Sequence, residues 1–236
     1  MGEHWKTIDE DAGLWLATYP FNKTKINTVA VRIQDGGLMI LSPGLEVSDA
    51  SFAELDAIGP VTALVSPGPF HHLGLPGWKA RYPDARLFAT TGGLARIPGQ
   101  HKGLDLGLES IDALQALLPD SVYAVEMPDQ KHNDLFVAVT HAGQTTWFTN
   151  EVLANMAELP PNPLFALLFK WTKSAPGLRV NTFVMKLIGA KKPATKAFFD
   201  DQLAARAPSR LLPCHGDVVD DANLPALLRA EFDRAF

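Results

Sequence analysis

The sequence predicts an α/β fold, and three observations carry that prediction. GLWLATYP, KINTVAVRI and GGLMILSPG each alternate β-branched or apolar residues with polar ones and are joined at Gly or Pro, as strands are. VTALVSP is a short apolar run between two helix-like segments, which reads as a buried strand. From Val152 to Ser209 the apolar spacing turns mostly helical.

The elements follow in order. Asp35-Gly36-Gly37 is turn chemistry, so the second and third runs are expected to form a hairpin. Ser48 or Asp49 is placed to cap a helix reaching about Ile58, and VTALVSP follows it. A short helix near Leu75 to Tyr82, a strand ARLFAT and a Gly-rich irregular stretch from Gly92 to Gly107 come next. SVYAVEM and DLFVAVT read as strands, and His141-Ala142-Gly143-Gln144 turns the chain into the strand TTWFTNE. Within the helical region PPNP is a breaker, LFALLFKW and NTFVMKLIGA are strongly apolar, and ATKAFFDDQLAARA has helical spacing. RLLPCHGD is a last strand before the closing helix NLPALLRAEFDRAF. No repeat, low-complexity tract or interdomain linker interrupts this order.

The chain has 236 residues, is 47% hydrophobic and 20% charged, and is large enough to bury a substantial core. A formal charge of −5 gives no general electrostatic attraction to nucleic acid or an anionic membrane, although a local basic patch is compatible with it. Cys214, the single cysteine, has no internal disulfide partner, and MGEHWKTIDEDAG is not an apolar leader, so a cytoplasmic location is expected. PLFALLFKW, the most apolar segment, is about half the ~20 residues of a membrane-spanning helix and contains Lys170, so no span is expected.

The polar residues able to do chemistry collect where strands end. His71-His72 follows VTALVS, His132-Asn133-Asp134 precedes DLFVAVT, Asn150-Glu151 follows TTWFT, and His215-Gly216-Asp217 follows RLLPC. Loops at strand ends converge on one rim of a sheet, so ligands distant in sequence can meet there.

On these residues the chain resembles the metallo-β-lactamase fold superfamily over nearly its whole length. That family's early Asp-x-Gly turn is here Ser42-Pro43-Gly44. Its Thr-His-x-His-x-Asp-His-x-Gly-Gly motif is matched by the ten residues from Ser66 to Leu75. Its third histidine corresponds to His132, its Thr-Gly-Asp to Thr149-Asn150-Glu151, and its Pro-Gly-His-Gly to Pro213-Cys214-His215-Gly216. The resemblance implies one domain over 1–236: a four-layered αββα sandwich of two mixed sheets flanked by helices, with a helical insert at about 152–194.

The departures bear on the chemistry. Pro67 and Pro69 stand where the family has its first two histidines, and proline carries no side-chain donor, so the first metal site is expected to be lost. The second site maps onto His71, His72, Glu151 and His215, three imidazoles and a carboxylate with a net charge of about +1 around a divalent ion such as zinc. His71 and Glu151 are both longer than the residues they replace, which requires backbone compensation. The cofactor expected is therefore a single divalent metal, zinc first, or none.

For the remaining candidates the plain reading prevails. His4, His101 and His141 are expected to be structural, Cys214 a buried thiol, Ser42 and Ser66 turn residues, and Asp217 either an orienter of His215 or a cap. Three functions stay open. One is a single-metal hydrolase of an ester, thioester, lactone or related small molecule. Another is a metal-free protein with His72 or His215 as general base. The third is a non-catalytic ligand-binding or interaction protein, whose apolar insert from Pro163 to Leu187 is a wall, core packing or a homodimer contact.

Overall fold

A computed structural model describes residues 4–21, 24–103 and 105–236, which form two compact units, Met1–Tyr123 and Ala124–Phe236. Eight α-helices and two large mixed sheets are found among the described residues.

The first unit runs β1 (Lys6–Asp9), β2 (Leu14–Phe21), β3 (Thr24–Arg32), β4 (Leu38–Leu41), α1 (Asp49–Ile58), β5 (Val61–Ser66), α2 (Leu75–Arg81), β6 (Arg86–Ala89), α3 (Thr91–Gln100), β7 (Leu108–Ser110) and α4 (Ile111–Leu114). Its seven strands lie in sequence order in one sheet. The pairings are antiparallel from β1 to β4, including the hairpin expected at Asp35-Gly36-Gly37, and parallel from β4 to β7. Ser48 caps α1 by accepting from the Ser51 N–H. Leu38, Ile40, Leu64 and Leu87 on the sheet pack with Leu55, Leu75, Trp78 and Ile97 from the helices. Met39, Leu41 and Val65 point the other way and are also fully buried, the pattern of strands covered on both faces.

The irregular stretch expected at Gly92 to Gly107 is largely the helix α3, with Leu104 outside the described residues. Thr90 makes it a helix: its hydroxyl accepts from the Gly93 N–H, and Ile97 enters the core. Glycine content disguised a capped turn whose stability comes from packing rather than propensity.

The boundary between the units falls inside β8 (Val122–Glu126). The chain continues through β9 (Leu135–His141), β10 (Gln144–Thr149), β11 (Leu153–Met156), α5 (Pro163–Trp171), β12 (Gly177–Val180), α6 (Thr182–Leu187), α7 (Lys192–Ala205), β13 (Arg210–Pro213), β14 (Val219–Asp220) and α8 (Leu224–Ala235). The second large sheet has the order β14-β13-β10-β9-β8, with β10 and β13 parallel. α7 and α8 bring Phe198, Phe199 and Phe232 into an aromatic core with Phe136 and Trp147, including a Phe199–Phe232 stack at 4.6 Å.

Segment 152–194 is less helical than its spacing predicts. β11 and β12 form an antiparallel pair from Leu153↔Val180 to Met156↔Gly177, closed by the Asn181 N–H donating to the Val152 carbonyl at 2.7 Å. Four-residue strands so far apart in sequence take their identity from the partner strand, which periodicity does not register. The edge strands β1 and β14 were unanticipated for the same reason.

Candidate functional site

In the first unit, β5 ends at Ser66 and delivers the loop carrying both adjacent histidines. The Ser66 hydroxyl lies 2.8 Å from the Gly68 carbonyl and 2.9 Å from that of His71, folding the loop back on the strand end. Gly74 lets the loop close: a Cβ there would stand 2.4 Å from the carbonyl oxygens of both Pro43 and Gly44. This contact joins the Ser42-Pro43-Gly44 turn to the histidine loop, and the Trp78 indole N–H donates to the Gly44 carbonyl at 2.9 Å.

Ser42 is fully buried with φ +55, and its Oγ lies 2.9 Å from His71 Nδ1. Ser42 thus makes the expected turn and also orients an imidazole. His72 Nδ1 lies 2.9 Å from His101 Nε2, with the two rings edge to face. Burial, then the charges of His101, Arg96 and His71, lower the His72 pKa to about 4, so its ring is neutral at pH 7. His101, expected to be structural, is therefore the direct partner of His72, carried there by the C-terminus of α3. Only recognition of that helix in the sequence would have signalled it. Pro67 and Pro69 occupy the same loop and offer no ligand atom.

In the second unit the decisive acid is Asp134, immediately before β9. It is buried, and it accepts from Asn150 Nδ2 at 2.7 Å and from the backbone N–H groups of Glu151 and Val152 at 3.0 Å each. Burial and the neighbouring Glu151 charge raise its pKa to about 7, against the opposing effect of those three donors. Asp134 thereby clamps the turn that carries Glu151, and Thr149 Oγ1 tightens the turn by donating to the Leu153 carbonyl at 2.9 Å. His132 makes no side-chain hydrogen bond among the described residues; its backbone N–H donates to Ile188. The sequence hint for Asp134 was an acid at the mouth of a wholly apolar strand, LFVAV, where an unpartnered charge is costly.

β10 and β13 are parallel up to Thr149 opposite Pro213; beyond that pair the chain turns at Glu151, and Gly216 next pairs with Asn155, so Glu151 and His215 stand on the two strand ends just past the ladder. Their side chains meet, Glu151 Oε2 to His215 Nε2, at 3.4 Å. Cys214 is buried, and its N–H donates to the Thr149 carbonyl at 2.7 Å. The His215 carbonyl accepts from the Asn155 N–H at 3.0 Å, and the Asp217 N–H donates to the Asn155 carbonyl at 2.8 Å. Gly216, at φ +105, allows this approach, since a Cβ there would lie 1.9 Å from the Asn155 oxygen. Asp217 contributes backbone groups to these bonds. Burial lowers the His215 pKa, but the Glu151 charge, its hydrogen bond and the Asp134 charge outweigh burial and leave it raised.

His4 pairs with Glu54, and His141 sits exposed at the end of β9, both as expected of structural histidines. No helix among the described residues is long and apolar enough to cross a membrane.

No family model and no curated protein matches the chain. Solved structures do. The DIM-1 metallo-β-lactamase superposes with a TM-score of 0.61 at 12% identity, covering 100% of this chain and 99% of that one. A metallo-β-lactamase from Erythrobacter litoralis gives 0.63 at 12% identity, covering 98% and 96%. The rubredoxin oxygen:oxidoreductase from Desulfovibrio gigas gives 0.63 at 13% identity, covering 98% of this chain but 61% of that one. Likeness along the full chain at such low identity speaks to architecture, and the α/β arrangement with two mixed sheets agrees with it: the chain has the metallo-β-lactamase fold.

Proposed function

We propose that the protein is a hydrolase reduced from the two-ion chemistry of its fold superfamily to a single divalent-ion centre, with Glu151 and His215 at its core. The observation that carries this reading is their 3.4 Å separation. Two metal bonds of ~2.1 Å at a tetrahedral angle hold their donor atoms about that far apart, so the pair fits two ligands of one zinc ion. Pro67 and Pro69 supply no donor for a further ion. His71 and His72 are the remaining ligands that the motif order implies. In each, Nδ1 faces a partner, Ser42 and His101 respectively, an arrangement that fixes the tautomer of a histidine binding through Nε2.

Such an ion, when bound, polarises a carbonyl or phosphoryl oxygen and lowers the pKa of water. The chain's own groups do the rest. Asp134 holds the Glu151 backbone rigid and so fixes the carboxylate that stands beside His215. Small esters, thioesters and lactones are the substrates to test first. The same pair supports a second reading, metal-free base catalysis by His215.

Protein purified without a histidine tag or chelator, then supplied with zinc, manganese or iron in turn, is expected to retain about one equivalent of metal. Glu151→Gln and His215→Asn are each expected to lose it, with circular dichroism verifying the fold. Less than about a tenth of an equivalent in the unaltered protein overturns the metal reading. Ester hydrolysis that persists without metal and vanishes in His215→Asn supports the second reading instead.

A further inference from the structure

We infer that the α5–α6 surface of the second unit is a docking face for an anionic lipid bilayer, entered by one apolar ridge and held by a ring of unpaired lysines. The ridge is built by helix periodicity. Leu164, Leu167 and Trp171 fall at positions i, i+3 and i+7 of α5 and are 63%, 63% and 76% exposed. Asn162 starts the helix by accepting from the N–H groups of Leu164 and Phe165, with Pro163 in the first turn. Phe169 is the buried side chain of α5, and it packs with Phe183 of α6 at 5.5 Å, which leaves the opposite, apolar face outward. Leu187 at the end of α6 is likewise exposed.

Charge selects the occupant. From Leu159 to Phe199 the sequence holds seven Lys and Arg and no Asp or Glu, within a chain whose formal net charge is −5. Lys191 and Lys196 pair with Asp129 and Asp200, and Arg179 with Glu231. Lys170, Lys173 and Lys186, exposed around the ridge, make no ion pair among the described residues. Lys186 Nζ lies 5.9 Å above the Trp171 ring, so cation and indole share one edge of the ridge.

An apolar helix face bearing tryptophan and bordered by lysines is the pattern of an in-plane interfacial helix on anionic lipid. A second copy would set like charges against each other around the ridge, and nucleic acid offers nothing to the exposed leucines. The acidic composition of the whole chain conceals this patch, because acidic residues are absent from it and crowded elsewhere.

The test is co-sedimentation of the full chain with vesicles of phosphatidylcholine alone or with about a third phosphatidylserine, at ~0.1 M and ~0.5 M salt. Binding is expected only to the anionic vesicles and to weaken at the higher salt. The triple variant Lys170→Gln/Lys173→Gln/Lys186→Gln should bind on the order of 100-fold more weakly. Leu164→Ser/Leu167→Ser should lose at least ~10-fold. Of the five tryptophans Trp171 is exposed, Trp15, Trp78 and Trp147 are buried, and Trp5 is half-buried in the first unit with its indole N–H on the Ser51 carbonyl, so the fluorescence blue shift on binding should come from Trp171 and disappear in Trp171→Phe. These positions are on the surface, and unchanged melting temperatures will establish that the variants fold. Absence of binding to anionic vesicles at low salt overturns the inference. So does binding to polyglutamate but not to vesicles, or a dimer in solution that Leu164→Ser/Leu167→Ser dissociates.

Discussion

His215 Nε2 stands 3.4 Å from Glu151 Oε2, where the parallel ladder of β10 and β13 ends at Thr149 and Pro213 and the chain turns before Asn155 pairs with Gly216. The pair depends on neighbours that leave little freedom: the Asp134 carboxylate on one side and the Asn155 backbone on the other.

Glu151→Gln is expected to lower the His215 pKa, since burial then acts with less opposition. In the unaltered protein the folded pKa is raised, so the stability contributed by protonated His215 is complete below the unfolded value near 6.5 and is lost as pH rises through the folded value. Histidine NMR titration reads the first effect. Thermal melts between about pH 6 and 9 read the second, as a gap between the two proteins that narrows with rising pH.

Asp134→Asn should destabilise the fold by about 1–3 kcal/mol, because its one oxygen can keep the Glu151 and Val152 N–H groups while the new amide nitrogen then faces the Asn150 Nδ2 donor where an acceptor stood. A carboxyl raised to about 7 from its ordinary 3.8 makes stability fall as pH climbs between them, the unfolded chain releasing its proton first. Urea denaturation across that range should show a flatter pH dependence in the variant.

His72, lowered to about 4, behaves in the opposite sense to His215. Its contribution is complete above the unfolded value near 6.5 and is lost as pH falls toward about 4. His72→Gln removes the titration and retains a polar contact to His101, so denaturant midpoints measured from pH 4 to 7 should lose this component of acid sensitivity. An unchanged profile would refute the assignment.

Gly216→Ala combines positive φ with a 1.9 Å contact to the Asn155 oxygen and is expected to cost about 3–5 kcal/mol or prevent folding. Gly143→Ala, at φ +78 with nothing within 4 Å of the new Cβ, bears the backbone cost alone, about 1–2 kcal/mol. Comparing the two melting curves isolates the contribution of the close approach.

The sequence by itself determined the α/β class, the Asp35-Gly36-Gly37 hairpin, the capped helix α1, the long strands and the order of polar groups at strand ends. Those features are encoded locally, in alternation, helical spacing and turn residues within a few positions of one another. The glycine-rich helix α3 and the short strands β1, β11, β12 and β14 escaped it, since packing and distant partners stabilise them. Glu151 and His215 were legible as candidates, and their meeting required β10 and β13 to lie side by side so that the chain ends past Thr149 and Pro213 converge. The roles of Asp134 as a clamp and His101 as the partner of His72 were decided by tertiary structure alone. A hydrogen bond needs two groups within about 3 Å, a condition that composition and spacing along one chain do not contain.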